Sequence, residues 1–412
     1  MKSDLDQCME EAGLDALLVL GSADHNPSMA YFTGAAHLSV AEILKKRGEP
    51  PVLIHFDMER DEAARTGLQS KNKSDYDFPA LAREAGGDQV LVRALLYKKI
   101  LEEFQVSGRV GVYGKVDIGS AYGALRRLEE LMPGIQVVGE SDRSSAVRRA
   151  RLTKDSAEVE RIRGMGKITA AVVNDVAEFL TSHQAKDGVL VDRNGAAITV
   201  GDVRRRINLW LAMRGAENPE GTIFAVGRDA GVPHSLGSDP DPIPVAKSII
   251  FDIYPCEQQG GYFYDLTRTW CLGFAPDEVQ QAYQDVSAAY DVAMKELRVG
   301  AACREVQIAV CKEFEARGHP TLLADFSGQE GYVHSIGHGL GLDVHEPPFF
   351  EHFETNTALL QPGSVVTVEP GLYYPERGFG VRIEDTVWIR PDGRPEVLVD
   401  VPRDLVLKIP GV

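Results

Sequence analysis

Residues 250–269 read IFDIYPCEQQGGYFYDLTRT, two apolar and aromatic runs on either side of a glycine-bearing turn. That pattern predicts a β-hairpin. Each run nevertheless carries one aspartate, Asp252 in the first and Asp265 in the second. A buried carboxylate costs on the order of several kcal/mol unless it is paired or meets a cation, so the two aspartates need a reason. A turn centred on Gln258 and Gln259 sets Asp252 directly opposite Asp265, with Cβ atoms roughly 4.5–5.5 Å apart.

The same geometry returns in VEPGLYYPERGFGVRIED, residues 368–385. A turn centred on Glu376 and Arg377 puts Glu369 opposite Glu384. Strand alternation then adds Thr267 to the face of Asp265 and Arg382 to the face of Glu384. Facing carboxylates destabilise one another and require a shared proton or a cation between them. Two such pairs form four walls of one cation site, and carboxylate-rich sites favour hard or borderline divalent ions such as manganese, which a carboxylate can bridge in pairs. A histidine that would complete the site lies in SIGHGLGLDVHEPP, residues 335–348. There His338 stands between Gly337 and Gly339, where missing side chains permit close approach of backbone and ligand. Chemistry alone leaves His345 and His234 open between a structural role and a functional one.

With 61 acidic against 44 basic residues in 412, the formal charge is -17, which repels nucleic-acid phosphates and anionic lipid. The clusters Arg148, Arg149, Arg151 and Arg204, Arg205, Arg206 read as solvated faces or interface charges. Five cysteines without a CxxC pair predict neither a disulfide framework nor a zinc ribbon, and reduced thiols indicate the cytoplasm. The first residues, MKSDLDQCMEE, are too acidic for a signal peptide, and the apolar run Ala16 to Leu20 is too short to span a membrane.

At this length two domains are expected. Segments 15–20, 51–56, 109–113 and 135–139 are short β-branched runs among helical patterns, which predicts an α/β domain over residues 1–145. A polar, basic stretch places the boundary near 142–154, and Asp155 with Glu158 has the form of a helix cap. The second domain, 155–412, should then repeat one order of elements: helices over 156–182 and about 200–214 before the first hairpin, then helices to about 298 and over 303–317 before the second. An internal duplication in an α+β domain follows. The GHGLG segment lacks the full dinucleotide fingerprint, and no nucleophile elbow surrounds Ser235.

The four segments FDIYPCEQQGGYFYDLTRT, SIGHGLGLDVHEPP, TVEPGLYY and GVRIEDTV, in this order, resemble the pita-bread metallopeptidases, a family that includes methionine aminopeptidase, aminopeptidase P and prolidase. The preceding α/β segment is similar to the creatinase-type N-terminal domain of the last two. The resemblance implies two divalent ions, manganese foremost with cobalt or zinc possible. It implies that Asp252 chelates one ion, that Asp265 and Glu384 bridge both, and that His338 and Glu369 complete the other, with Glu369 also shuttling a proton. His234 and His345 match substrate-contacting histidines, and Arg382 matches an arginine beside the bridging glutamate. Hydrolysis of Xaa-Pro bonds in short peptides, by a homodimer, is the implied activity. A metal-free creatinase-like hydrolase and an inactive peptide-binding module are the alternatives. The chain departs from the family at Tyr254, where a glycine is usual, and in a longer Asp252 to Asp265 spacing.

Overall fold

The computed structural model describes residues 4–34, 36–141 and 143–412. Residues 1–3 of the expected first domain and Asp142, at the edge of the expected boundary, lie outside the described residues. The chain divides into two compact units, Met1–Arg151 with Gln258–Gly261, and Leu152–Glu257 with Tyr262–Val412.

In the first unit a six-stranded mixed sheet runs in the order Gln69–Asn72, Val52–His55, Ala41–Lys46, Ala16–Gly21, Gly108–Lys115, Ile135–Val138. Its central strand Ala16–Gly21 is apolar on both faces because both are covered. Leu18 and Leu20 join the core under the helices Gln89–Glu103 and Ile118–Leu131, while Leu17 and Val19 join the core beneath Leu5–Glu11 and Ala146–Arg151. Arg151 is buried at 4 % exposure, so the basic stretch at the end of this unit is not the wholly solvated face its composition predicts.

The second unit opens with the helix Ser156–Thr181, whose Asp155 and Glu158 form the expected capping box. A second helix, Val200–Met213, leads to a four-stranded sheet containing Thr222–Val226, Ile249–Ile253 and Leu266–Leu272. Helices Asp277–Glu296 and Cys303–Ala316 follow, then a five-stranded sheet built around Val365–Val368 and Asp385–Ile389. Two helices and then strands thus occur twice in succession, as the α+β reading with internal duplication requires. The hairpin Gly371–Tyr374 with Phe379–Arg382 completes the second repeat.

Threonine hydroxyls stitch the two repeats together. Thr269 Oγ1 donates to the Arg382 carbonyl at 2.8 Å and accepts from the Arg382 N–H at 2.8 Å. Thr386 Oγ1 donates to the Asp265 carbonyl at 2.8 Å, and the Glu384 N–H donates to the Thr267 carbonyl at 3.1 Å. Beside this seam Arg268, 1 % exposed, makes five hydrogen bonds: to the carbonyls of Pro402, Thr267, Glu384 and Val401 and to Asp385 Oδ1. That number equals the donors a guanidinium carries, so none is left unsatisfied in a dry environment.

Removing this side chain would strand four carbonyls and Asp385 Oδ1, leaving Asp385 its Oδ2 bond to Arg403. Arg268→Met should therefore lower the stability of the second unit by about 3–5 kcal/mol, the usual loss when one member of a buried pair is deleted. Arg394→Ala, which removes an exposed pair with Asp392, should leave the urea midpoint where it is. Equal midpoints for both variants in urea denaturation would contradict the role given to Arg268.

Candidate metal centre

Strand Ile249–Ile253 pairs antiparallel with Leu266–Leu272, and in this register Asp252 faces Thr267, not Asp265. The same register continues toward the tip, where the Tyr264 N–H donates to the Pro255 carbonyl and the Glu257 N–H to the Tyr262 carbonyl. The turn is therefore centred on Gln259 and Gly260, which have φ of +66° and +79°. Positive φ at both central residues is the requirement of a two-residue type I′ turn, and glycine meets it without steric cost. A turn centred on Gln258 and Gln259 would have imposed it on two residues with side chains. Moving the centre by one residue moves the pairing by two, so every side chain stays on its face. Asp252 and Asp265 are consequently diagonal neighbours on one face, and the residue across from Asp265 is Tyr254.

The second hairpin keeps the expected register. Gly371 pairs with Arg382 and Tyr374 with Phe379. The Ile383 N–H donates to the Pro370 carbonyl at 3.3 Å, so the same alignment carried outward brings Glu369 opposite Glu384. Thr267 Oγ1 donates to Glu384 Oε2 at 2.7 Å and accepts from Arg382 Nε at 3.1 Å. Arg382 Nη2 in turn donates to Asp252 Oδ2 at 2.5 Å. One threonine and one arginine thereby tie carboxylates from both hairpins into a single cluster.

His338 is placed by its glycine neighbours. A Cβ on Gly337 would lie 2.1 Å from the Thr367 carbonyl oxygen, and one on Gly339 would lie 2.1 Å from that of Pro347. Only glycine lets those backbones close around the histidine. His338 Nδ1 lies 3.0 Å from the Gly339 carbonyl oxygen and must donate to it. The other nitrogen, Nε2, then presents a lone pair 3.4 Å from Glu369 Oε1 and 3.7 Å from Asp265 Oδ2. Burial, aided by His345, pushes the imidazole pKa down to about 3.

Three residues escaped the sequence reading. Tyr373 OH accepts from Arg382 Nη1 at 2.9 Å and lies 2.8 Å from His334 Nε2. His334 Nδ1 lies 2.7 Å from the Ser335 carbonyl oxygen. Donor directions follow from these partners: Arg382 donates to Tyr373, Tyr373 to His334, and His334 to the backbone. Tyr373 reaches this position over Gly371, whose missing Cβ would otherwise sit 2.5 Å from the phenol oxygen. Alternation from Glu369 through Gly371 to Tyr373 would have flagged the tyrosine, but His334 had no comparable signal. The third residue, Glu220, lines the same cleft from a different loop.

The cleft has a cavity volume of about 230 Å³. Asp252, Asp265, His338, Glu369, Arg382 and Glu384 line it, and so do His234 and His345. The rings of His338 and His345 meet edge to face with centroids 4.3 Å apart.

Electrostatics define what this cleft can hold. Burial first, then Glu384, Asp252 and Glu369, push the Asp265 carboxyl well above the usual carboxylate range. Burial and then Glu369 and Asp252 do the same to Glu384. Burial raises Glu369 to about 8, against the opposing pull of Arg382. Asp252 Oδ1 and Asp265 Oδ1 are buried and accept no hydrogen bond. Among the described residues, Asp265, His338 and Glu384 each offer a ligand atom within 4.8 Å of the others. Orphaned oxygens and an imidazole lone pair aimed at carboxylates are repulsive without a cation and are donors with one. This set of oxygens and one nitrogen fits a divalent metal.

Comparison with known proteins agrees with the site. Residues 160–391 match metallopeptidase family M24. A Xaa-Pro dipeptidase of Pyrococcus horikoshii is 26% identical over 390 residues, covering 93% of each chain. An uncharacterized peptidase of Bacillus subtilis is 30% identical over 404 residues, covering 96% of this chain and 97% of its own. The fold is shared with an X-Pro aminopeptidase from Thermotoga maritima, at a TM-score of 0.74 and 24% identity over 98% of this chain and 100% of that one. Prolidase from Pyrococcus furiosus gives a TM-score of 0.69 at 21% identity, over 97% of this chain and all 100% of that one. From its buried carboxylate cluster to its two-domain architecture with a C-terminal pita-bread fold, the chain belongs to metallopeptidase family M24 and is a metal-dependent exopeptidase.

Proposed function

We propose that this protein hydrolyses the Xaa-Pro bond of short peptides with two divalent metal ions held by Asp252, Asp265, His338, Glu369 and Glu384. The observation that carries this reading is the convergence of four carboxylates with one neutral imidazole in a single cleft. Arg382, the only lysine or arginine lining the cleft among the described residues, leaves three of their negative charges uncompensated when all four are ionised. One divalent ion does not neutralise three charges, which supports a pair. Manganese suits the oxygen-rich donors best, and cobalt or zinc is compatible with them.

Such ions supply a water of lowered pKa and a polarised scissile carbonyl. The protein does the rest. Thr367 Oγ1 donates to Glu369 Oε1 at 3.3 Å, which leaves Oε2 to take a proton from the nucleophile and return it to the leaving nitrogen. His345 and His234, on the cleft walls, orient the substrate and donate toward charge developing on the carbonyl oxygen. Arg382 holds Asp252 in place and, through Tyr373, orients His334. A proline leaving group has no amide N–H, so recognition relies on these walls and not on a backbone donor.

Residues 1–145 serve as a creatinase-type domain, 155–412 carry catalysis, and the enzyme works as a cytoplasmic homodimer. The absence of a disulfide among the described residues is consistent with that compartment. No helix among the described residues is long and apolar enough to cross a membrane.

The deciding experiment compares Xaa-Pro with Xaa-Pro-Yaa peptides before and after chelation. Cleavage before proline that stops with chelator and returns with manganese or cobalt is expected, and the preferred length separates dipeptidase from aminopeptidase. Undiminished turnover in metal-free protein would overturn the mechanism. A second expectation separates ligands from donors. His345→Ala should keep its metal yet lose about 10²–10³ in turnover, as when a donor to a developing oxyanion is removed. His338→Ala should lose metal itself. Matching metal loss in both variants, measured by elemental analysis, would refute the division of roles.

A further inference from the structure

The cleft carries one carboxylate that the metal site does not use. Glu220 lies in Asn218-Pro219-Glu220-Gly221, where the Gly221 N–H donates to the Asn218 carbonyl at 3.3 Å. Asparagine first, proline second and glycine fourth are the preferences of a type I turn. The turn is held rigidly from outside, because Asn218 Nδ2 donates to Asn208 Oδ1 at 2.8 Å and to Thr222 Oγ1 at 3.0 Å. Glu220 is exposed, lines the cavity, and is not drawn into any ion pair among the described residues.

Its surroundings are not those of a metal ligand. Tyr254, on the face of Asp252 by strand alternation and set across from Asp265 by the position of the hairpin turn, lines the same cavity with Ile223, Leu236 and Val344. Leu236 is 46 % exposed, an apolar surface left open at the cleft. An aromatic ring lining the cavity beside a carboxylate offers a cation its π face. An aliphatic wall joined to a carboxylate and an aromatic ring matches a side chain with an apolar stem and a cationic tip.

Resting on the Xaa-Pro reading, we infer that Glu220 and Tyr254 select substrates whose first residue is basic, with the lysine or arginine stem against Ile223, Leu236 and Val344 and its charge at the Glu220 carboxylate. Glu220 is then a specificity residue, separate from the carboxylates that hold metal. The uncharged analogue of lysine, norleucine, would lose the tip interaction while keeping the stem.

The test is the ratio of kcat/KM for lysyl-proline over norleucyl-proline, measured with the metal-loaded full chain. The wild type should favour lysyl-proline by about five- to tenfold, a modest factor because the pair is solvent-accessible. Glu220→Gln should bring the ratio close to one. Glu220→Lys should reverse the order and favour glutamyl-proline, which keeps the inference testable if the first variant alters the turn. A wild-type ratio near one, or a ratio unaffected by Glu220→Gln, would overturn the inference while leaving the Xaa-Pro reading intact. An equal loss on both substrates would also overturn it, by assigning Glu220 to the shared α-ammonium group. If the dipeptides are not cleaved, the same ratio is read on Lys-Pro-Yaa over norleucyl-Pro-Yaa, and hydrolysis of neither length by the wild type would overturn the Xaa-Pro reading and this inference with it.

Discussion

Mutual repulsion among Asp252, Asp265, Glu369 and Glu384 is the constraint around which the second unit is organised. Four carboxylates brought into one cleft do not stay together by themselves, and burial makes the ionisation of Asp265, Glu369 and Glu384 harder still. The protein holds them by tying down their strands. Thr267, Thr269 and Thr386 join the two repeats at the points where the acidic residues emerge. Arg382, the only lysine or arginine lining the cleft among the described residues, pairs with Asp252. The unsatisfied oxygens that remain are those a divalent cation would use.

Rigidity behind the site has a similar origin. Arg268 satisfies carbonyls from three separate segments and pairs with Asp385, next in sequence to Glu384. On the other side, a buried pair between Lys154 and Glu346 at 2.5 Å anchors the residue following His345. Both pairs are about 1–2 % exposed, so each charge depends on protein partners and not on water, and Arg403 adds a second bond to Asp385 at 2.5 Å. The histidines and carboxylates of the cleft thus hang from groups whose own positions are costly to change.

Much of this site was legible because strand periodicity survives imperfect registration. The second hairpin was read in the correct register, and Arg382 was placed on the right face. The first was read two residues out, yet Asp252, Asp265 and Thr267 still share a face, since an even shift preserves alternation. The signal that would have corrected it was Gly260, the residue able to take positive φ cheaply. His334 and Glu220 were not legible. Neither belongs to a hairpin that already carries a ligand, and nothing in a period of two connects them to the cleft.

The sequence by itself determined the hairpins, the alternation of their faces, the glycines that let His338 be closely surrounded, and the helix cap at Asp155. These are local consequences of backbone sterics and side-chain period, which act over a few residues. Only the tertiary structure decided which carboxylates meet, because Glu384 reaches Thr267 across 117 positions of the chain and Arg382 reaches Asp252 across 130. It alone decided that His338 is neutral with its lone pair toward Asp265 and Glu369, since that depends on burial and on a hydrogen bond to the Gly339 carbonyl. The positions of Tyr254 and Glu220 on one cleft were settled in the same way: a turn that shifted by one residue and a rigid loop from another strand met at a distance that no local pattern encodes.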